Sequence, residues 1–181
     1  MRKINEIFYS LQGEGFHTGT PAVFVRFSGC NLKCSFCDTQ HEEGVWMSDE
    51  EILAEVGKYP AVTVILTGGE PSLWIDREFV DCLHWMGKYV CIETNGTHSL
   101  PDNIDWVTCS PKQGAKLCIS RMDEVKVVYE GQDIAVYESL PAGHFFLQPC
   151  SCSNTAETVA CVMKHKKWRL SLQTHKLIEI K

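Results

Sequence analysis

Eight residues of this 181-residue chain carry three thiols: Cys30-Asn31-Leu32-Lys33-Cys34-Ser35-Phe36-Cys37. Three thiolates are one fewer than a closed tetrahedral zinc site or a fully ligated four-iron cubane requires. His41 lies close by and offers the fourth ligand of a Cys3His zinc site. A disulfide is the weaker reading, because cysteines separated by two or three residues are poorly placed for an unstrained bridge and one thiol is left over. The remaining option is a 4Fe-4S cluster held at three corners, with one iron open to another ligand.

Other stretches offer matching chemistry. Leu11-Gln12-Gly13-Glu14-Gly15 sets two glycines around an acid, as in a loop that brings its backbone close to something. Arg26 is the one charge in the apolar run Ala22 to Phe27, and a buried guanidinium needs an anionic partner from the protein or from a ligand. In Thr67-Gly68-Gly69-Glu70-Pro71 the glycines let backbone amides and carbonyls meet a ligand where a Cβ would intrude. Glu93, Ser110, Pro111, Lys112, Gln148 and Pro149 each follow an apolar run, where ordinary loop capping is the plainer role for any one of them.

The elements that must position these residues follow from the hydrophobic period. Ile4 to Ser10 reads as an edge strand and Ala22 to Phe27 as a buried one. Ser48-Asp49-Glu50-Glu51 is a capping box that opens a helix to about Lys58. Val62 to Leu66 is a β-branched strand, and Asp76 caps a second helix with Phe79, Leu83 and Met86 on one face. Tyr89 to Glu93, Asp105 to Cys109, Glu124 to Tyr129 and His144 to Leu147 continue the strands. A weak helix is expected over Asp133 to Leu140, a last one from Asn154 or Thr155 to Lys166, and a closing strand over Trp168 to Gln173. Strands alternating with helices imply parallel pairing and right-handed crossovers. The expected fold is α/β: a partial β/α barrel of about six parallel strands with reduced helices. In such folds chemistry sits at the C-terminal ends of the strands, where the polar stretches fall.

Composition narrows the classes. With 181 residues the chain suits one domain and is short of the ~250 residues of a complete eight-fold barrel. A net charge of -6 argues against a nucleic-acid binder, which needs concentrated Lys and Arg. No apolar run reaches the roughly 18 residues of a membrane span, and Met1 to Glu6 lack a signal peptide's apolar region, so a cytoplasmic protein is expected. Ten cysteines in such a chain are expected as reduced thiols. Cys82, Cys91, Cys109, Cys118 and Cys161 read as small buried apolar residues, as do Cys150 and Cys152 unless they form a second metal site; methionines and tryptophans read as core.

The spacing Cys-x3-Cys-x2-Cys, with aromatic Phe36 before the third cysteine and Gly68-Gly69-Glu70-Pro71 after the next strand, resembles the radical S-adenosylmethionine (SAM) superfamily. From residue 11 to 176 the order of motifs, ending in Leu172-Gln173-Thr174-His175-Lys176, resembles the 7-carboxy-7-deazaguanine synthase family more narrowly. The resemblance implies a 4Fe-4S cluster on Cys30, Cys34 and Cys37, with SAM on its open iron. It also implies SAM contacts from Gly69, Glu70, Glu93, Ser110, Pro111, Lys112, Gln148 and Pro149, and a pterin substrate held by Leu11, Gln12, Gly13, Arg26, Thr67 and His175. A magnesium ion on Thr39, a reductant such as flavodoxin or ferredoxin, and a homodimer are implied as well. Without the resemblance, Thr39 reads as a turn hydroxyl. Two other readings stand beside it: a small radical SAM activase for a glycyl-radical partner, and a non-enzymatic Cys3His zinc module. The chain departs from the family at its end, Ile178-Glu179-Ile180-Lys181, where many members carry proline.

Overall fold

The computed structural model describes residues 1–35, 37 and 43–181. Its strands are β1 (Arg2–Leu11), β2 (Pro21–Phe27), β3 (Val45–Met47), β4 (Thr63–Gly68), β5 (Tyr89–Thr94), β6 (Trp106–Cys109), β7 (Glu124–Tyr129), β8 (His144–Pro149) and β9 (Arg169–Leu170). They form one sheet in the order β3-β1-β2-β4-β5-β6-β7-β8-β9. From β2 to β9 every neighbouring pair is parallel, and β1 runs antiparallel to both β2 and β3. The sheet is open, with β3 and β9 at its edges among the described residues, as a partial barrel requires. Among the described residues four helices accompany it: α1 (Asp49–Val56), α2 (Arg77–Trp85), α3 (Thr155–Val162) and the single-turn α4 (Thr174–Leu177).

Period-two alternation gives the sheet two unlike faces. Val23, Val25, Phe27, Val64, Leu66, Val90, Ile92, Val107, Val125, Val127 and Leu147 point to one side, where they pack with Ile52 and Val56 of α1 and with Phe79, Val80 and Leu83 of α2. Each such side chain stabilises the fold by about 1.5–3 kcal/mol on leaving water. On the other side Ala22, Phe24, Ile65 and Cys91 form a small second cluster with Phe8 and Trp106. Nearer the strands' C-terminal ends that inner face turns polar.

The capping box at Ser48 and Glu51 is present, and Asp76 caps α2 by accepting from Phe79 N at 2.9 Å. Arg2, 6% exposed, ties these helix starts together: it donates to Asp49 at 2.7 and 2.8 Å and to Asp76 at 3.0 Å, and stacks on the Phe79 ring 4.3 Å away.

Several expectations change. The first strand is not an edge, because β3 pairs outside it through Arg2↔Met47 to Ile4↔Val45. Residues 133–140 form only a 3-10 turn, Ala135–Tyr137; Ile134 and Tyr137 bury three residues apart, enough to anchor one turn. α3 stops at Val162, where tight turns Lys164 N→Cys161 O and His165 N→Val162 O take over. The closing strand shrinks to two residues because Thr174 leaves the sheet to dock on Gly13 O at 2.9 Å. Trp168 and Met122 are buried, but Trp85 (83% exposed), Met163 (81%) and Trp46 (57%) are not, and Met86, the C-cap of α2, is exposed as well. Of the cysteines expected inside, Cys91 and Cys109 are buried, Cys82, Cys150, Cys152 and Cys161 half-buried, and Cys118 exposed.

Candidate active site

At the C-terminal ends of the parallel strands lie two cavities of about 190 and 180 Å³. Glu14, Thr67, Glu93, Lys126 and Gln173 line both and form their common wall. The first is also lined by Cys30, Cys34, Cys37, Gly69, Ser110, Lys112, Gln148 and Pro149. The second takes Leu11, Gln12, Gly13, Arg26 and His175. Apart from Glu70, Pro111, Thr39 and His41, the site residues expected from the sequence thus line one or both of two adjoining spaces.

In the first cavity the cysteine loop and the Gly68-Gly69-Glu70-Pro71 turn are pressed together. Gly69 N donates to Phe27 O at 3.0 Å and Glu70 N to Gly29 O at 2.9 Å. A Cβ on Gly69 would stand 2.0 Å from Gly29 O, and Gly68 has φ +117°, a conformation that L side chains rarely adopt, so both positions require glycine. Glu70 is fully buried and stays off the cavity wall. Its carboxylate accepts from Ser72 N at 3.1 Å, Thr94 Oγ1 at 2.6 Å and Asn95 N at 2.7 Å, bracing the turn to the end of β5. Pro111 is buried and also off the wall. Thr39 and His41 lie outside the described residues.

Cys30 Sγ accepts from Leu32 N at 3.4 Å and faces Asn95 Nδ2 at 4.0 Å. Burial pushes its thiol above the usual range, the Leu32 amide opposes this, and the charge of Glu70 adds to it. Lys112 donates to Ser110 Oγ at 2.7 Å; burial lowers its pKa, Cys34 opposes the shift, and Lys126 adds to it. Among the described residues no three His, Cys, Asp or Glu side chains are already gathered as a metal site. The donor set nevertheless fits a cluster: three soft thiols on one wall, amide donors at Cys30, and a lysine beside Cys34 to offset thiolate charge.

Lys126 stands at the seam, 2.7 Å from Glu14 Oε2 and 2.7 Å from Glu93 Oε2. Glu14 Oε1 accepts from Gln173 Nε2 at 2.8 Å, and Glu93 Oε1 from Gln12 Nε2 at 3.2 Å. Burial disfavours ionised Glu14, but Lys126, Gln173 and His175 outweigh it and hold the carboxyl at about 2. Glu93 goes the other way: burial and the charge of Glu14 raise it against the pull of Lys126. Burial opposes the Lys126 charge, and Glu14, Glu93 and Glu124 more than restore it. Glu124, two residues before Lys126 on the same face, is pushed up to about 7 by burial, with Glu93 adding and Lys126 opposing. Among the described residues its Oε1 is buried without a hydrogen-bond partner.

The second cavity is closed by the chain's last residues. Thr174 N and Oγ1 both donate to Gly13 O, at 2.9 and 3.0 Å, and a Cβ on Gly13 would meet His175 Nδ1 at 2.0 Å. This close approach brings His175 over the glycine loop. Arg26 is half-buried rather than buried, and its anionic partner in the protein is Glu6, Nε to Oε1 at 3.0 Å, with the Phe8 ring 5.7 Å from its guanidinium carbon. Lys181 also pairs with Glu6 and lines the same cavity.

Glu6, Glu14, Asn95, Lys126 and Gln173 were not assigned from the sequence. The signal lay in strand phase: β7 places Glu124, Lys126 and Val128 on one face and Val125 and Val127 on the other. In register, Arg26 sits beside Thr67, and Glu93 beside Thr108, so adjacent strands contribute to one polar row.

Comparisons with known proteins identify the family. The sequence profile of the Radical SAM superfamily matches residues 24–108. A 7-carboxy-7-deazaguanine synthase from Bacteroides thetaiotaomicron is 81% identical over 181 residues, covering 100% of both chains. The one from Nitratidesulfovibrio vulgaris is 41% identical, covering 98% of each. Among solved structures, the crystal structure of QueE from Escherichia coli superposes with a TM-score of 0.79 at 31% identity, covering 94% of this chain and 93% of that one.

Proposed function

We propose that this chain, which belongs to the 7-carboxy-7-deazaguanine synthases of the radical SAM superfamily, converts 6-carboxy-5,6,7,8-tetrahydropterin to 7-carboxy-7-deazaguanine with loss of ammonia. The observation that carries the reading is the pair of cavities with a common wall, one bearing three cysteines and the other Gln12, Arg26 and His175.

In this reading Cys30, Cys34 and Cys37 hold a 4Fe-4S cluster by three corners. When bound, the cluster and SAM supply a 5'-deoxyadenosyl radical that takes hydrogen from C6 of the pterin. The protein's own part is to hold, orient and exclude water. Backbone carbonyls of the Gly69-Glu70 turn, whose amides are already engaged, accept from the amino group of SAM. Glu93, Ser110, Lys112, Gln148 and Pro149 form the rest of its seat, while Pro111, buried off the cavity wall, shapes the loop that carries Ser110 and Lys112. The Arg26 fork receives the substrate carboxylate, while Leu11, Gln12, Gly13, Thr67 and His175 frame the ring. Thr39 supplies one oxygen to a magnesium ion that keeps most of its waters. The chain works as one domain, as a homodimer in the cytoplasm, reduced by flavodoxin or ferredoxin. No helix among the described residues is long and apolar enough to cross a membrane.

Anaerobic turnover of 6-carboxytetrahydropterin with SAM and a reductant, followed by mass spectrometry, tests the proposal. Formation of 7-carboxy-7-deazaguanine supports it. Reductive cleavage of SAM without that product would defeat the substrate assignment and spare the radical chemistry.

A further inference from the structure

Nothing in the proposed function uses the most deeply buried cation at the site. Lys126 is 5% exposed, lies on the inner face of β7 and borders both cavities. Its two carboxylate partners come from segments far apart in sequence: Glu14 from the glycine loop that frames the second cavity, and Glu93 from the end of β5. Each carboxylate is oriented from its other oxygen by a neutral amide, Gln173 on Glu14 and Gln12 on Glu93. The chain Gln173–Glu14–Lys126–Glu93–Gln12 therefore runs across the seam, with every link a hydrogen bond or ion pair of 2.7–3.2 Å.

A buried ion pair is weak evidence for stability, since desolvation cancels much of the attraction. A triad that sets two acids against one base in the protein interior is costlier still, because the base can offset only one of them. Such an arrangement fits a group whose charge acts on a ligand. We propose that Lys126 is the positioning residue of this site: its ammonium ties Glu14 to Glu93 across the seam and thereby fixes the charge that the common wall presents to both ligands. The role rests on the proposed pterin reaction for its ligands, and on the geometry alone for the charge.

The groups facing Lys126 set the direction of every effect. Glu14 on the glycine loop, Glu93 on β5 and Glu124 on β7 all favour its charge; Lys112, after β6, opposes it; His175 on α4 acts through Glu14. Glu93 feels Lys126 and Glu14 with opposite signs. Removing the ammonium must therefore make Glu93 easier to protonate, and removing the Glu14 charge must make it harder.

The test is an isotope-edited infrared titration of the reconstituted enzyme, with the Glu93 band assigned by difference against Glu93→Gln, alongside the pH profile of kcat/KM. In Lys126→Gln the Glu93 midpoint and the acidic limb of the profile move up together by about one pH unit, the usual reach of a lost neighbouring charge. In Glu14→Gln both move down. Lys126→Arg keeps the charge and returns the limb toward its native position. Should Lys126→Gln fail to fold, Glu14→Gln decides: a downward shift upholds the role, and an unmoved or upward one overturns it. Parallel shifts in the two neutralising variants, or a limb that ignores the infrared midpoint, likewise overturn it. The infrared shifts do not depend on turnover, so a native enzyme that makes no product defeats the pterin reading while opposite shifts still uphold Lys126.

Discussion

On its helix-covered face the sheet presents Val, Ile, Leu and Phe to the core, whereas on the inner face the same strands present Arg26, Thr67, Glu93, Lys126 and Gln148. The difference is one residue of phase along each strand. One face is stabilised by area removed from water, and its neighbours are interchangeable in kind. The other buries polar groups that must be matched one by one, so each depends on a named partner from another segment. Stability and function are therefore separable by strand parity, a division that substitutions can break or sharpen.

The largest effect is expected at the mouth of the inner face. Cys30→Ser should abolish turnover and leave a protein of native circular dichroism whose reconstituted form lacks the full iron and sulfide content. Retained cluster and activity would detach the cysteine motif from the site. On the outer face, Phe79→Ala should cost about 3–5 kcal/mol in denaturant unfolding, yet leave kcat per folded molecule near native; a matching loss of kcat would break the division. Arg26→Ala inverts that pattern. It should lower kcat/KM for the pterin by about 10²-fold, equivalent to about 2.7 kcal/mol of lost binding, with Tm within a few degrees. Intact pterin turnover would remove Arg26 from the substrate's carboxylate.

The smallest effect sharpens the comparison most, because it predicts that an inner-face charge harms stability. Glu124 is raised from 4.5 to about 7. The folded state thus favours its protonated form: this contribution to stability is full below 4.5 and is lost as pH rises through 7. Glu124→Gln mimics the protonated carboxyl and keeps an acceptor for Phe16 N, now held at 3.1 Å. It should match the native protein at about pH 4 and exceed it by on the order of 2 kcal/mol at about pH 8. Equal Tm values across that range would show that Glu124 ionises without cost.

Much of this was legible beforehand because it rests on local rules. The capping box at Ser48, the Asp76 cap, the β-branched runs and the glycines at 68 and 69 each constrain their own few residues, and the elements form where expected. What failed was decided elsewhere in the chain. Three residues, Val45–Met47, gave no strand signal and became one by pairing with β1. Gln173 read as the end of a strand, with His175 beyond it, but Thr174 finds Gly13 O, more than 150 residues away in sequence, and turns the chain into α4.

The sequence by itself determined the parts: three thiols one ligand short, glycines where backbone must meet backbone, and strands whose C-terminal ends carry polar residues. Those are properties of spacing and of single residues. Only the tertiary structure decided the pairings, Arg26 with Glu6, Glu70 with Thr94 and Asn95, and Lys126 with Glu14 and Glu93. A buried charge is tolerable only beside its partner, and sheet register together with loop docking chooses that partner across distances no local pattern spans.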